Sequence, residues 1–324
     1  MKAIQVDGDE LVWADFVRPQ CGPGELRIEV AASAINRADL MQRNGGYPPP
    51  QGASPIMGLE CSGVVIELGE GVSSFAVGDE VCALLAGGGY AEEVVVPAGQ
   101  VLPVPKGLDL AAAAALPEVF ATAYLNLYTE AAVAPTEHVI VHAGASGVGT
   151  AALQMLKQTN NPSFVTVGSQ SKLDDCMALG AQAGAVRHEG SFLPAAQQWL
   201  VDAKASGVDV ILDPVGGQYL RDNLTVLGLG GRLVLIGLMG GAVTEVNLGL
   251  LMMKRARVIG STLRARPISE KALVMDGLRK HVWPKIEAGL VQPVIEAQFP
   301  MQQTADAHAL MAGNETVGKI LLTS

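Results

Sequence analysis

Aromatic residues make up only 4% of the 324 residues, and acidic side chains outnumber basic ones by 32 to 22, for a formal net charge of −10. The first shortage leaves few ring surfaces on which bases stack. The second would repel a phosphate backbone instead of releasing its counterions, so nucleic acid is not expected as a partner. Cysteine is equally sparse: the four, Cys21, Cys61, Cys82 and Cys176, are scattered without a CxxC pair. Neither a disulfide framework nor a zinc cluster is expected from that spacing, and the thiols are read as reduced. No apolar run approaches the roughly 18 residues that span a bilayer, and residues 1–9 lack a basic stretch leading into an apolar core. The expectation is a cytoplasmic chain with no membrane partner.

What is abundant is apolar side chain, at 49%, and glycine, with 38 residues. A chain of this length supports two domains, each able to bury a core. Residues 1 to about 115 carry short β-branched runs broken by Gly and Pro, as at 25–30, 63–68 and 77–81, the texture of a compact β-rich unit. From about residue 116 apolar strand-like runs alternate with helix-length segments: 138–142 then 147–158, 164–168 then 172–179, 208–212 then 217–227, 232–236, and a last strand near Val258. That alternation predicts a parallel doubly wound α/β sheet over 116–265. A helical stretch at 269–288, a strand at 293–299, a helix near 302–312 and a strand at 319–323 follow, and the terminal strands are expected to complete the first domain, 1–115 with 266–324.

The run from His138 to Ala152 passes from a strand through Gly144-Ala145-Ser146-Gly147-Val148-Gly149 into a helix, the context that a dinucleotide fingerprint requires. Gly144 permits the tight turn, small Ser146 lets a pyrophosphate approach the backbone, and Gly149 lets helix pack on strand. The next strand ends in Gly168-Ser169-Gln170-Ser171-Lys172, with no carboxylate to hold the ribose hydroxyls of NAD. A hydroxyl and an ammonium suit a 2′-phosphate, so NADPH is the expected cofactor. The alternative for Lys172 is a solvated charge in the first turn of a helix. His142, in the apolar strand, is read as a satisfied core residue.

Further motifs are Ala34 to Arg43, Gly45-Gly46-Tyr47-Pro48-Pro49-Pro50, Gly58-Leu59-Glu60-Cys61-Ser62-Gly63, Pro117-Glu118 through Thr122-Ala123, Gly237 to Gly241 and Leu263 to Arg266. With the glycine turn and in this order, they resemble the medium-chain dehydrogenase/reductase superfamily in its quinone oxidoreductase branch, over essentially the whole chain, and within it the tumour-suppressor-inducible group. The resemblance implies a GroES-like β-barrel catalytic domain, a Rossmann domain and a cleft between them. It also implies a zinc-free site, because Asn36 and Leu59 stand where zinc-dependent members have Cys and His, and amide and leucine cannot replace thiolate and imidazole. By the same resemblance Asn36 and Tyr47 are the catalytic residues and also touch the cofactor, Thr122 lies by the nicotinamide, and Ser146, Gly147, Val148 and Gly149 meet the pyrophosphate. Gly168, Ser169, Gln170 and Lys172 meet the adenosine phosphate, Leu238, Met239, Leu263 and Arg264 line the far side of the cofactor, and Lys319 lies near the cleft. Arg187 either adds a second cation to the phosphate site or faces solvent. Asp39 is read as a structural carboxylate paired with Arg37 or a helix end.

The implied activity is hydride transfer from NADPH to a quinone without a metal. An enal or enone reduced at its C=C bond is the alternative acceptor, and a cofactor-binding protein with a structural or regulatory role is the third reading. The resemblance further implies a homodimer paired through the Rossmann sheet edge, near Arg232 to Ile236 or Val258.

Overall fold

A computed structural model describes all 324 residues. The chain forms two compact units, Met1–Ala121 with Leu263–Ser324, and Thr122–Thr262. In the first unit the chain makes a hairpin of β1 (Lys2–Asp7) and β2 (Glu10–Asp15), then β3 (Glu25–Ala34), α1 (Arg37–Arg43), β4 (Glu60–Leu68), β5 (Glu80–Leu84), β6 (Glu93–Pro97) and β7 (Val101–Pro103). Along β3 the alternating Leu26, Ile28 and Val30 are buried against Cys61, Val65, Val81 and Val94 of the neighbouring strands, the period-2 pattern of a half-buried strand. Helix α2 (Pro117–Tyr124) carries the chain across the division between units and continues as a π-helical turn over Leu125–Glu130.

The second unit alternates β8 (Val139–His142), α3 (Gly147–Gln158), β9 (Ser163–Val167), α4 (Gln170–Leu179), β10 (Ala183–Val186), α5 (Leu193–Asp202), β11 (Val208–Asp213), α6 (Leu220–Val226), β12 (Leu227–Leu235), α7 (Leu248–Lys254) and β13 (Arg257–Gly260). Its six strands lie in the order β10-β9-β8-β11-β12-β13, every neighbouring pair parallel. All four residues of β8 and all five of β9 are buried, as strands covered on both faces must be. The order reverses between β8 and β11. Ligands of such sheets bind outside the carboxyl ends of the strands at that switch point, which is where the glycine-rich turn leaves β8.

The chain then returns to the first unit with α8 (Ile268–His281), α9 (Trp283–Glu287), β14 (Ile295–Pro300), α10 (Thr304–Ala312) and β15 (Lys319–Thr323). There β15 pairs antiparallel with β3 and parallel with β14. The expected β-rich unit and parallel doubly wound sheet are therefore both present. Four local expectations change. The helix predicted over 269–288 breaks at Val282, because Pro284, in the first turn of α9, has no N–H to continue the ladder. The strand predicted at 77–81 starts at Glu80, since Gly78 (φ 97°) and the Asp79 carboxylate, which accepts from the Ala76 N–H, make a turn there. The units divide inside α2 and just before Leu263, where the sequence suggested 115/116 and 265/266; the Glu118 N–H and the Arg264 guanidinium are both bonded within the first unit. Finally, β12 has partners on both sides and its Arg232 is tied to Glu137 at 2.6 Å, so residues 232–236 offer no edge; β13 does. No helix is long and apolar enough to cross a membrane.

Candidate active site

The first unit buries a dense cluster of charge around the start of α1. Asn36 is the helix N-cap, and Asp39, three residues on, reaches back to accept from the Asn36 N–H at 2.8 Å while its other oxygen accepts from the Gly58 N–H at 3.0 Å. Asp39 is thus a structural carboxylate at a helix end, as read from the sequence, but Arg37 is not its partner: that guanidinium bonds Asn314 and the Met311 carbonyl. Burial raises the Asp39 carboxyl to about 6 against the opposing pull of its two N–H donors and of Lys319.

Those bonds orient Asn36 and the Gly58 turn that leads into β4 and Glu60. The Asn36 amide donates to Glu60 Oε1 at 2.9 Å, and its oxygen accepts from Lys319 Nζ at 2.7 Å. Lys319 spends its other two protons on the Ile35 carbonyl at 2.6 Å and on Glu60 Oε1 at 2.7 Å. Both members of that ion pair are buried, with side-chain exposures of 3% and 0%. Glu60 Oε2 accepts the N–H of Glu118 at 2.9 Å, which fixes the start of α2. The Glu118 carboxyl is itself pushed up to about 8, first by burial and then by Glu60, with Lys319 and Arg264 pulling the other way.

Tyr47 sits in the loop after α1, and the Arg264 guanidinium lies 5.2 Å from its ring centroid, a cation–π geometry. Arg264 donates to the Tyr47 carbonyl at 3.2 Å, to Gln42 Oε1 at 2.7 Å and to the Ala86 carbonyl at 2.8 Å, pinning the loop. Burial and the Glu118 charge raise the Tyr47 phenol above its ordinary value. Asn36, Tyr47, Arg264 and Lys319, all expected at the site, therefore share one polar cluster, with Leu263 buried next to Arg264. Glu60 and Glu118 were quoted in sequence motifs but given no role. The available signal was a carboxylate inside an apolar run, which is rarely buried unless paired.

In the second unit the glycine turn is built by backbone geometry. Ala143 adopts φ 52°, Ser146 caps α3 by accepting from the Gly149 N–H at 3.1 Å, and a Cβ at Gly149 would lie 2.6 Å from the Ala143 carbonyl. A Cβ at Gly144 would meet Val165 at 2.7 Å. With Gly147 and Val148 in its first turn, the N-terminus of this twelve-residue helix is a fitting seat for a pyrophosphate. Beneath it, neutral His142 bridges Thr166 at 3.0 Å and Asn223 at 2.7 Å, and Asn223 donates to Asp213 at 2.9 Å. Burial lowers the imidazole to about 4. His142 is the satisfied core residue that the sequence suggested.

At the end of β9, Ser169 caps α4 by accepting from the Lys172 N–H at 3.4 Å. Lys172 is not a solvated charge: it is 8% exposed, on the α4 face that also carries buried Cys176. Gln170 is exposed and donates to Asp174. Arg187 is exposed, its guanidinium beside Gly168. Leu238 and Met239 are about half exposed in the loop after β12, and the Thr122 carbonyl accepts from Asn126 at 2.7 Å. No carboxylate stands among residues 168–172.

Two family profiles match this chain: the alcohol dehydrogenase GroES-like domain over residues 22–106 and the zinc-binding dehydrogenase over residues 179–322. The human synaptic vesicle membrane protein VAT-1 homolog is 32% identical over 94% of this chain and 80% of its own length. Bovine quinone oxidoreductase-like protein 2 is 30% identical over 93% of this chain and 85% of its own, and a Burkholderia 2-haloacrylate reductase 29% over 97% and 95%. Among solved structures, mycobacterial Rv1454c complexed with NADPH superposes with a TM-score of 0.86 at 26% identity over all of both chains. A Pseudomonas syringae quinone oxidoreductase gives 0.84 at 28% identity over 100% of this chain and 99% of its own.

The second profile's name raises zinc, and the residues here do not fit it. The Asn36 amide and buried Leu59 are not zinc donors, Lys319 Nζ already neutralises Glu60, and no three His, Cys, Asp or Glu side chains converge as a metal site.

Proposed function

This chain belongs to the medium-chain dehydrogenase/reductase superfamily of oxidoreductases, and on that footing we propose that it is an NADPH-dependent quinone reductase that works without a metal. The observation that carries the reading is the Lys319 ammonium, 2.7 Å from both Asn36 Oδ1 and Glu60 Oε1, a fixed protein cation beside the candidate catalytic amide. A lysine locked in this way supplies positive field but is not a Lewis acid that polarises an alcohol for dehydrogenation. Acceptors that take hydride readily, such as quinones, suit it better.

NADPH, when bound, supplies the hydride. The chain's part is to hold and orient. Gly147 to Gly149 would take the pyrophosphate on the α3 N-terminus, and Ser169, Lys172 and Arg187 the 2′-phosphate. The Tyr47 hydroxyl would orient the acceptor oxygen, while Asn36, whose amide protons are taken by the Ala34 carbonyl and Glu60 Oε1, would help to hold Lys319 in place. Leu238 and Met239 would cover the cofactor with apolar surface.

The test is NADPH oxidation by purified protein with ortho- and para-quinones, run beside NADH. Turnover with NADH at equal efficiency would remove the NADPH assignment. The Burkholderia relative's name, 2-haloacrylate reductase, favours a second reading in which a C=C bond conjugated to a carbonyl accepts the hydride. Enals and enones assayed at matched concentrations decide between the two by kcat/KM. NADPH binding without turnover of either class would leave a structural or regulatory role. We also place the protein in the cytoplasm as a homodimer paired through β13, whose outer edge has no strand partner in the sheet. Sedimentation tests that pairing, and a monomer at micromolar concentration would overturn it.

A further inference from the structure

We propose that Glu118 is the proton donor of this reaction, its carboxylic acid delivering the proton that completes reduction of the acceptor oxygen. The inference rests on the reductase reading above. It starts from unused bonding capacity. Glu118 Oε2 is buried and has no hydrogen-bond partner. A carboxylate left so is costly, whereas the neutral acid is not, and the acid carries a proton with nowhere in the protein to go.

The other ionisable groups of the cluster are committed. Lys319 spends all three protons on Ile35, Asn36 and Glu60. Both oxygens of Asp39 accept backbone N–H groups, and both oxygens of Glu60 are occupied. The Tyr47 phenol is raised by burial and is a weak acid near neutrality. As whole residues Glu118, Asn36 and Tyr47 are partly exposed, while Asp39, Glu60, Arg264 and Lys319 are buried.

The groups that face Glu118 come from every surrounding element. Glu60 on β4 and Asp39 on α1 favour its proton, and Lys319 on β15 and Arg264 before α8 oppose it. Lys271 on α8 and Tyr47 feel the Glu118 charge in turn. Burial outweighs the cations, so the carboxyl titrates at about 8 and is mostly protonated at neutral pH, a value suited to an acid catalyst. In the step itself a quinone receives hydride, with its electron pair, from NADPH and becomes the hydroquinone monoanion. The Glu118 O–H bond breaks, its proton moves to the anionic oxygen, and the carboxylate takes a proton from water. One solvent proton is consumed per turnover.

The test compares wild type with Glu118→Gln and Glu118→Asp across pH 6–10, with NADPH affinity read by fluorescence and the neutral-carboxyl band read by infrared in the cofactor-free protein. The expected wild-type kcat falls above about pH 8. In Glu118→Gln kcat at pH 7 drops on the order of 100-fold, the alkaline limb disappears and NADPH affinity is unchanged; Glu118→Asp restores part of the rate with a displaced limb. The wild-type infrared band titrates with the same midpoint as kcat and is missing in Glu118→Gln. A Glu118→Gln enzyme that keeps its rate or its alkaline limb overturns the donor role, as does absence of the band from wild type at pH 7. Those results leave the reductase reading standing, whereas wild type inert toward every quinone and enone overturns both.

Discussion

The candidate site residues of the two units are held by different means. The first packs the carboxyls of Asp39, Glu60 and Glu118 against the cations of Arg264, Lys271 and Lys319, so its structure depends on where protons reside. The second builds its glycine turn from backbone geometry, a hydroxyl cap and a neutral imidazole bridged to an amide. Charges in a low-dielectric interior are strong when paired and damaging when not, while backbone arrangements fail only when something intrudes on them. The first unit should therefore be sensitive to charge removal and to pH, and the second to added volume.

The sharpest way to break this comparison is Lys319→Met. It leaves Glu60, with no exposed side-chain surface, short of its cation, and losing one member of a buried pair costs about 3–5 kcal/mol. Urea denaturation should show a loss of that size together with loss of quinone turnover. The double variant Lys319→Met/Glu60→Gln should recover part of the stability and none of the turnover. A single variant as stable as wild type would mean that the cluster is not the electrostatic keystone described.

Next in size is Gly149→Val in the second unit. Its Cβ would overlap the Gly144 carbonyl and lie 2.6 Å from that of Ala143, where overpacking costs about 1–3 kcal/mol. The turn must open to admit it, so NADPH binding by fluorescence should be lost while the infrared titration of Glu118 stays as in wild type. Tight NADPH binding by Gly149→Val would show that the turn is more plastic than its backbone contacts imply.

The same contrast explains what the sequence could show. The nucleotide turn was readable because its parts are consecutive: strand, Gly144 to Gly149 and helix α3, whose predicted span 147–158 is the observed one. The parallel order followed from strand and helix alternation, and the return of residues 319–323 to the first unit was expected and is seen in their pairing with β3. The charged cluster was readable only in pieces. Asn36, Glu60, Glu118, Arg264 and Lys319 come from five separate stretches, and no local periodicity says that Lys319 neutralises Glu60. Resemblance supplied Asn36, Tyr47, Arg264 and Lys319 but gave no role to the two carboxylates, because their importance lies in pairing and burial. Lys172 was uncertain for the same reason: helical spacing places it one turn before Cys176 but does not say which face is covered.

A smaller effect separates the units by pH. Glu118 ionises at about 8 when folded against an ordinary 4.5, so between those values the unfolded chain holds fewer protons and stability falls as pH rises. Asp39 and Asp213, at about 6, have reached their full effect by pH 7, and His142 and His308, lowered to about 4, are then neutral in the folded state. From pH 7 to 8 the first unit responds through Glu118 while the second is nearly silent. Above that range the buried thiols Cys61, Cys82 and Cys176, all raised, add loss of the same sign. The quantity to measure is thus the difference between wild type and Glu118→Gln: denaturation midpoints should decline from pH 7 to 8 in wild type and stay flatter in the variant. Parallel declines would place the titrating group elsewhere.

The smallest expected effect lies at the end of β9. Arg187 is exposed beside Gly168, where solvent and salt screen its field, so its contact with a 2′-phosphate should be worth about 1 kcal/mol, or several-fold in affinity. Arg187→Ala should weaken NADPH binding by that factor, leave NADH binding unchanged, and reduce the salt dependence of the NADPH affinity. Lys172→Ala should also weaken NADPH binding, but because Lys172 is buried beside Cys176 its removal should lower the denaturation midpoint too, which Arg187→Ala should not. Equal weakening of NADPH and NADH by Arg187→Ala would remove that guanidinium from phosphate recognition. If Lys172→Ala also left NADPH affinity intact, the second unit would select its cofactor without either cation, by backbone geometry alone, and its contrast with the charge-built first unit would be complete.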